Sequence, residues 1–295
     1  MQVRLAAYSG FCFGVRRAIK MAIEASKGTQ KVYTLGALIH NPQFVAELEE
    51  QGILAMPRAA DISNSVVIIR SHGITKQEYE ILTRQNNTII DATCPYVKRT
   101  HEMIQSAISD GYQVCILGDK NHPEVIGMLS YSDDKTIVVA PGEIPPDYNH
   151  KKICLISQTT QKIQDLAKLI QTILPKVFEL KVYNSICLAT TYRQNAASIL
   201  ARNSDLMIVI GGRTSSNTRM LASLCAEYCQ TQHIETEDEL DPDIIAGKQR
   251  IGLAAGASTP ADRIVKVYNK LLKINGEEGL ATSIQSIPVF KEESC

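Results

Sequence analysis

The sequence predicts an α/β protein built from three similar modules on mainly parallel sheets. Three observations lead to that expectation. Short apolar runs rich in β-branched residues recur without strict alternation, as strands covered on both faces do. Amphipathic helical patterns separate many of these runs, the mark of parallel α/β units. Three cysteines also stand between an apolar run and a helical pattern, with 82 residues from Cys12 to Cys94 and 93 from Cys94 to Cys187. A period of that size divides the chain into residues 12–93, 94–186 and 187–295, the last completed by the N-terminal strand 1–11. Each module then supplies one thiol to a shared centre.

The elements follow in order. "VRLAAY" (3–8) leads through Cys12 into the helical pattern "GVRRAIKMAIEASKG" (14–28). "KVYTL" (31–35) precedes "LIHNP", which contains His40, and "VVIIR" (66–70) precedes "SHG", which contains His72. "TIIDA" (88–92) runs into Cys94, and Pro95 suits the first position of the next helix, leaving Cys94 at its cap. "QVCILG" (113–118) precedes "GDKNHPEV", with His122 and Glu124 two residues apart. "TIVVA" (136–140) and "KICLIS" (152–157) follow, the latter ahead of "QTT" and the helix "QDLAKLIQTIL" (164–174). "ELKVY" (179–183) precedes Cys187 and a helix near "ATTYRQNAASILARN". "LMIVIGG" (206–212) leads to Ser215, Ser216 and Asn217, and "RIGLAAG" (250–256) to Ser258 and Thr259. Ligands of parallel α/β sheets bind beyond the carboxyl ends of the strands, so these loops form the candidate site.

Composition narrows the function. The chain has 295 residues, 44% of them hydrophobic, enough to bury real cores, and length alone suggests about two domains. Lysine plus arginine total 31 and aspartate plus glutamate total 31. Zero net charge gives no electrostatic reason to expect a nucleic-acid partner. No apolar run is long enough for a membrane span, and the N-terminus reads as a strand rather than a secretory segment. The expected compartment is the cytoplasm, with the eight cysteines reduced.

A helix N-terminus favours a thiolate, so the three junction cysteines are metal-ready sulfurs. Cys115 and Cys154 lie inside strand runs, Cys225 and Cys229 on a helical pattern, and Cys295 ends the chain; these five read as structural. The polar loops have two readings. Serine, threonine and asparagine are ordinary helix caps. Together with histidine they also make a pocket of donors suited to phosphate oxygens, in which Glu124 fits only as a group that handles protons. His101, His150 and His233 read as solvated or structural, "KEESC" as a solvated tail, and the charges of "YRQ" and "RRAIK" as ordinary helix faces. Neither the G-x-x-x-x-G-K-[ST] nor the G-x-G-x-x-G nucleotide fingerprint occurs.

"GFCFGVRRAI", "IHNP", "SHG", "DATCP", "HPEV", "QTT", "ICLATTYRQ", "SSNT" and "AGAST" occur in the order found in one family. The sequence closely resembles the 4-hydroxy-3-methylbut-2-enyl diphosphate reductases, known as LytB or IspH, over nearly its whole length. The resemblance implies a pseudo-threefold, trefoil-like arrangement of the modules around a [4Fe–4S] cluster. It implies Cys12, Cys94 and Cys187 as the three ligands, with the fourth iron open to substrate. It implies reductive removal of the allylic hydroxyl in the last step of the methylerythritol phosphate route to isoprenoids. Glu124 is then the proton donor and Thr159 its relay, with His122 also in the catalytic set, and His40, His72, His122, Ser215, Asn217 and Ser258 are the diphosphate contacts, with Ser216 alongside. The implied electron donor is a ferredoxin or flavodoxin. Phe13 and Ile126 depart from the usual pattern without removing a donor or ligand, and Cys295 has no assigned role. The competing readings are a non-redox iron–sulfur hydro-lyase, a non-catalytic cluster-sensing module and a zinc-stabilised fold.

Overall fold

The computed structural model describes residues 1–145, 152–277 and 280–290. His150, Cys295 and the "KEESC" tail lie outside the described residues. The chain runs β1 (Gln2–Leu5), α1 (Phe13–Ser26), β2 (Val32–Leu35), α2 (Pro42–Glu50), β3 (Ile53–Met56), β4 (Val66–Ile69), α3 (Lys76–Arg84), β5 (Thr88–Asp91) and α4 (Pro95–Ser109). It continues through β6 (Gln113–Leu117), α5 (Pro123–Leu129), β7 (Ile137–Val139), β8 (Lys152–Ser157), α6 (Ile163–Ile173), β9 (Glu179–Tyr183) and α7 (Leu188–Arg202). The last elements are β10 (Leu206–Ile210), α8 (Ser216–Ala226), β11 (Gln230–Ile234), α9 (Pro242–Ile245), β12 (Arg250–Ala255) and α10 (Ala261–Ile274).

Among the described residues the strands form three four-stranded sheets, ordered β3-β2-β4-β5, β7-β6-β8-β9 and β1-β12-β10-β11. Every ladder in them is parallel, as the non-alternating apolar runs predict. Counting strands along the chain, the first two sheets share one order, 2-1-3-4. The third sheet has the same order if β1 is counted after β12 as its fourth strand. The chain therefore starts inside its last sheet, and the pattern of three similar modules follows from topology.

By contacts the chain separates into two compact units: Met1–Phe13 with His40–Phe44 and Leu188–Cys295, and Gly14–Ile39 with Val45–Cys187. In the first unit, Leu206, Ile208 and Ile210 of β10 face one core with Ile264, Val267 and Leu271 of α10. Met207 and Val209 face the other, with Ala197 and Leu200 of α7 and Leu221 and Cys225 of α8. Alternation along one strand thus feeds two cores, and every residue of β10 is buried. The second unit contains the other two sheets. There Cys115, Leu117 and Leu155 pack on α6, while Val114, Ile116 and Cys154 pack on α4 and α5. Cys115 and Cys154 lie on opposite faces of one sheet and are core residues, as their strand context predicts.

Two strands escape the sequence patterns. β3 ("ILAM") is a four-residue apolar run with one exposed and two half-buried positions, and β11 ("QTQHI") is mostly polar; both are edge strands. Among the described residues no helix is long and apolar enough to cross a membrane.

Candidate active site

The order 2-1-3-4 places first and third strands side by side, and the loops after these two strands are where such sheets bind ligands. Those loops carry the candidate residues. His40, His122 and Ser215 each lie five residues past the end of a first strand, Leu35, Leu117 or Ile210. His72 and Ser258 each lie three residues past the end of a third strand, Ile69 or Ala255. The modules therefore offer polar groups at equivalent positions.

The three junction cysteines are equivalent as well. Each follows the fourth strand of a sheet and immediately precedes a helix: Cys12 before α1, Cys94 before α4, Cys187 before α7. Cys94 is the N-cap of α4 with Pro95 behind it, as the sequence predicts. Each cysteine amide donates to a carbonyl two residues past a third strand. Cys94 N–H reaches Ser71 O at 3.0 Å, Cys187 N–H reaches Thr159 O at 3.0 Å, and Cys12 N–H reaches Ala257 O at 3.1 Å. One hydrogen bond, repeated three times, fixes each thiol beside a ligand-side loop.

Exposure also separates these thiols from most of the others. Cys12, Cys94 and Cys187 are half-buried, whereas Cys115, Cys154 and Cys225 are buried. Burial pushes the Cys154 thiol up to about 12, which keeps it protonated and inert. Cys229 is half-buried, but desolvation also raises its thiol, and it follows α8 rather than preceding a helix. The donor set at the helix starts fits a thiolate-bound iron–sulfur group; the core cysteines do not.

Glu124 sits in the first turn of α5 and is 1% exposed. Its Oε1 accepts the Thr159 N–H at 2.7 Å, and its Oε2 lies 2.9 Å from Thr159 Oγ1. Desolvation raises the carboxyl to about 7, against the two Thr159 hydrogen bonds that lower it. His122 caps the same helix, its Nδ1 accepting the Glu124 N–H at 3.2 Å. With Nδ1 accepting, a neutral His122 carries its proton on Nε2 and is a donor there. His72 packs edge-to-face on His122, with ring centroids 5.5 Å apart. Gly118 allows this arrangement, because a Cβ there would come within 2.9 Å of Val125 Cγ2 and 3.1 Å of Gln158 Cβ.

In the first unit, Ser215 caps α8, its Oγ accepting the Thr218 N–H at 3.3 Å. Ser216 and Asn217 follow it and are buried. Both polar atoms of the Asn217 amide are buried without a protein partner, although Asn217 is only 4% exposed. A buried orphaned amide costs free energy, so Asn217 fits a site completed by a hydrogen-bonding ligand. Ser258 Oγ donates to the His40 carbonyl at 3.4 Å, and Gly212 lets the same carbonyl approach where a Cβ would collide. The two readings of these loops are thus compatible: His122 and Ser215 cap their helices and stand among the candidate contacts.

The expected helix-face charges need correction. Arg193 and Gln194 are buried. The Arg193 guanidinium donates to Gly10 O at 2.7 Å and to Ala189 O at 3.2 Å, bracing the loop that ends at Cys12. No local pattern announces this, because Gly10 is 183 residues away. Arg193→Met should lower unfolding free energy by about 1.5–3 kcal/mol, the usual value of a charge-assisted hydrogen bond, in a denaturant titration. Arg17 of "RRAIK" is half-buried and donates to Thr93 O and Asp91 O, each at 3.3 Å. His101 and His233 are structural, as expected. His101 stacks on Tyr131 at 4.1 Å, and burial lowers its imidazole to about 4. His233 Nε2 lies 2.8 Å from Gly211 O.

Fold and loops together define an α/β protein of three parallel-sheet modules, with polar groups gathered at the strand switch points and a thiol at the head of each connecting helix. The chain belongs to the LytB protein family, whose profile matches residues 3–272. It is 43% identical over 283 residues to the 4-hydroxy-3-methylbut-2-enyl diphosphate reductase of Geobacter sulfurreducens, covering 94% of this chain and 99% of that one. The reductase of the same name from Caldanaerobacter subterraneus is 40% identical over 285 residues, with the same coverage. A solved (E)-4-hydroxy-3-methyl-but-2-enyl diphosphate reductase superposes with a TM-score of 0.68 at 42% identity, over 92% of this chain and 100% of that one. The Plasmodium falciparum E-1-hydroxy-2-methyl-but-2-enyl-4-diphosphate reductase superposes with a TM-score of 0.86 at 28% identity, over 95% and 94%.

Proposed function

We propose that this chain reduces 4-hydroxy-3-methylbut-2-enyl diphosphate at its allylic hydroxyl, giving isopentenyl and dimethylallyl diphosphates, the last step of the methylerythritol phosphate route. The observation that carries this reading is the buried Glu124–Thr159 pair, a carboxyl held near neutrality beside a hydroxyl in a ligand-side loop. In the overall reaction the carbon–oxygen bond breaks, two electrons and two protons are taken up, and the oxygen leaves as water.

Cys12, Cys94 and Cys187 are the proposed ligands of a [4Fe–4S] cluster, one at the head of each of the modules 12–93, 94–186 and 187–295 with 1–11. Such a cluster supplies one-electron transfer and Lewis acidity at an iron that no cysteine occupies. The protein supplies orientation and protons. His40, His72, His122, Ser215, Asn217 and Ser258, with Ser216 alongside, are the proposed donors to the diphosphate. Six neutral or cationic donors on rigid loops match an anion whose oxygens only accept. Fixing the diphosphate fixes the far end of a short carbon chain, which converts binding into positioning.

Glu124 delivers the proton. While its carboxyl is protonated, the 2.9 Å contact runs from Glu124 Oε2–H to Thr159 Oγ1. That frees the Thr159 hydroxyl to donate onward to the departing oxygen. The acid form persists up to about pH 7, so turnover should fall as pH rises through that value. Thr159→Val removes a hydrogen bond that lowers the Glu124 carboxyl, so the alkaline limb of the pH profile should move to higher pH. A limb that stays in place or moves down would remove Glu124 as the titrating group.

The deciding test is anaerobic turnover of the diphosphate substrate with reduced methyl viologen. Two electrons consumed per isoprenoid diphosphate formed is the expected result. Iron-loaded protein that forms no product, or that turns over equally without reductant, would sink the reading.

A further inference from the structure

Among the described residues, two arginines brace loops that end at proposed ligands, and each comes from the helix that follows a different one. Arg17 stands five residues past Cys12 in α1, yet it holds the loop of Cys94. Its guanidinium donates to Asp91 O and Thr93 O, each at 3.3 Å. Arg193 stands six residues past Cys187 in α7, and it donates at 2.7 Å to Gly10 O, two residues before Cys12. Six residues past Cys94, α4 has Thr100, whose hydroxyl donates within its own helix to Val97 O at 2.7 Å. The Cys187 loop has a neutral brace instead. Ser185 Oγ accepts the Ser157 N–H at 2.8 Å and donates to Ser157 O at 2.6 Å.

Holding a loop does not by itself require a cation, because the serine pair does so with neutral groups. Taking a guanidinium out of water costs free energy that a neutral donor avoids. Arg193 is nevertheless 3% exposed, and Arg17 is half-buried. Both acceptors of Arg17 are neutral carbonyls, and among the described residues it forms no ion pair. Thr93 O and the Cys94 N–H belong to one peptide group. A cation on that oxygen strengthens the bond the N–H makes to Ser71 O at 3.0 Å. Positive charge therefore stands one peptide away from a proposed ligand.

We propose that Arg17 and Arg193 are positioning residues that also tune the proposed cluster: their fixed charge, held at the Cys94 and Cys12 loops, raises its reduction potential. The inference rests on the cluster reading above. Three thiolates outweigh the positive core of an oxidised [4Fe–4S] group, so the assembly is anionic, and an added electron makes it more so. A nearby cation favours the more negative form. A guanidinium keeps its charge at any working pH, so this contribution is independent of the titration of Glu124.

The test is an anaerobic electrochemical titration of the iron-loaded enzyme without substrate, followed by absorption. One electron passes from the electrode through a mediator dye to the cluster, with no bond made or broken. Arg17→Gln and Arg193→Gln should each weaken reduction by about tenfold, a midpoint about 59 mV lower for a one-electron couple. Arg17→Lys and Arg193→Lys lose the planar fork but keep the charge, so their reduction equilibria should return to within about threefold of wild type. Lys27→Gln removes an exposed cation that pairs with Glu24, and its midpoint should stay at the wild-type value. Unmoved midpoints in the glutamine variants overturn the proposal. So do equal shifts in the lysine and glutamine variants, which would make the role one of shape alone, or an equal shift in Lys27→Gln. Arg17 is only half-buried, so its two variants decide the matter if Arg193→Gln does not fold. Wild-type protein that binds no iron ends the cluster reading and this inference together. Iron-loaded variants that keep the wild-type potential end the inference alone.

Discussion

Glu124→Gln is expected to lower kcat by about 100- to 10,000-fold, the usual contribution of a positioned general acid. The substitution keeps the site's shape. The carboxamide oxygen can still accept the Thr159 N–H that Glu124 Oε1 accepts at 2.7 Å. The amide nitrogen then donates to Thr159 Oγ1, as the protonated Glu124 Oε2–H does. What is lost is a proton that can leave. Substrate affinity should therefore change little, and the residual activity should lose its fall above about pH 7. Single-turnover kinetics, with affinity and rate measured across pH, would separate these effects. Full turnover in the glutamine variant would mean that the proton reaches the departing oxygen by another path.

Serine at Cys12, Cys94 or Cys187 should strip the protein of iron, from about three to four atoms per chain to less than about one after anaerobic purification. A serine hydroxyl is a far weaker acid than a thiol and offers no soft donor to iron. Each cysteine is also held by the same backbone hydrogen bond, so loss of any one leaves two equivalent positions and an incomplete set of the proposed ligands. Cys115→Ser is the control. Cys115 is buried in the sheet core, so its replacement should cost about 1–3 kcal/mol of stability as a buried hydroxyl and leave the iron content unchanged. Iron retained in Cys94→Ser and lost in Cys115→Ser would reverse the assignment. Iron and sulfide analysis with the absorption spectrum decides between them, without any assay of activity.

Much of the site is legible in the chain because its parts are local. A thiol before a helix, a proline behind it and a histidine two residues ahead of a glutamate all show in short windows, as at Cys94–Pro95 and His122–Glu124. The joining of Glu124 to Thr159 does not. They are 35 residues apart and meet because β6 and β8 are parallel neighbours in register from Gln113↔Ile153 to Leu117↔Ser157. That pairing brings two carboxyl-end loops side by side. The edge strands β3 and β11 and the buried Arg193 were illegible for a related reason. An edge strand is covered on fewer sides, so β11 is mostly polar and β3 only a four-residue apolar run, and an arginine can be buried only where carbonyls accept its protons.

By itself the sequence determined which segments become strands and helices in the interior, which thiols stand at helix starts, and the kinds of donors in the loops. Those properties depend on side-chain chemistry and on residues a few positions apart. Tertiary structure alone decided that Glu124 meets Thr159, that three cysteine amides take equivalent partners, and that a carboxyl is dry enough to hold its proton near neutral pH. Strand order, hydrogen-bond register and desolvation arise from packing between residues far apart along the chain.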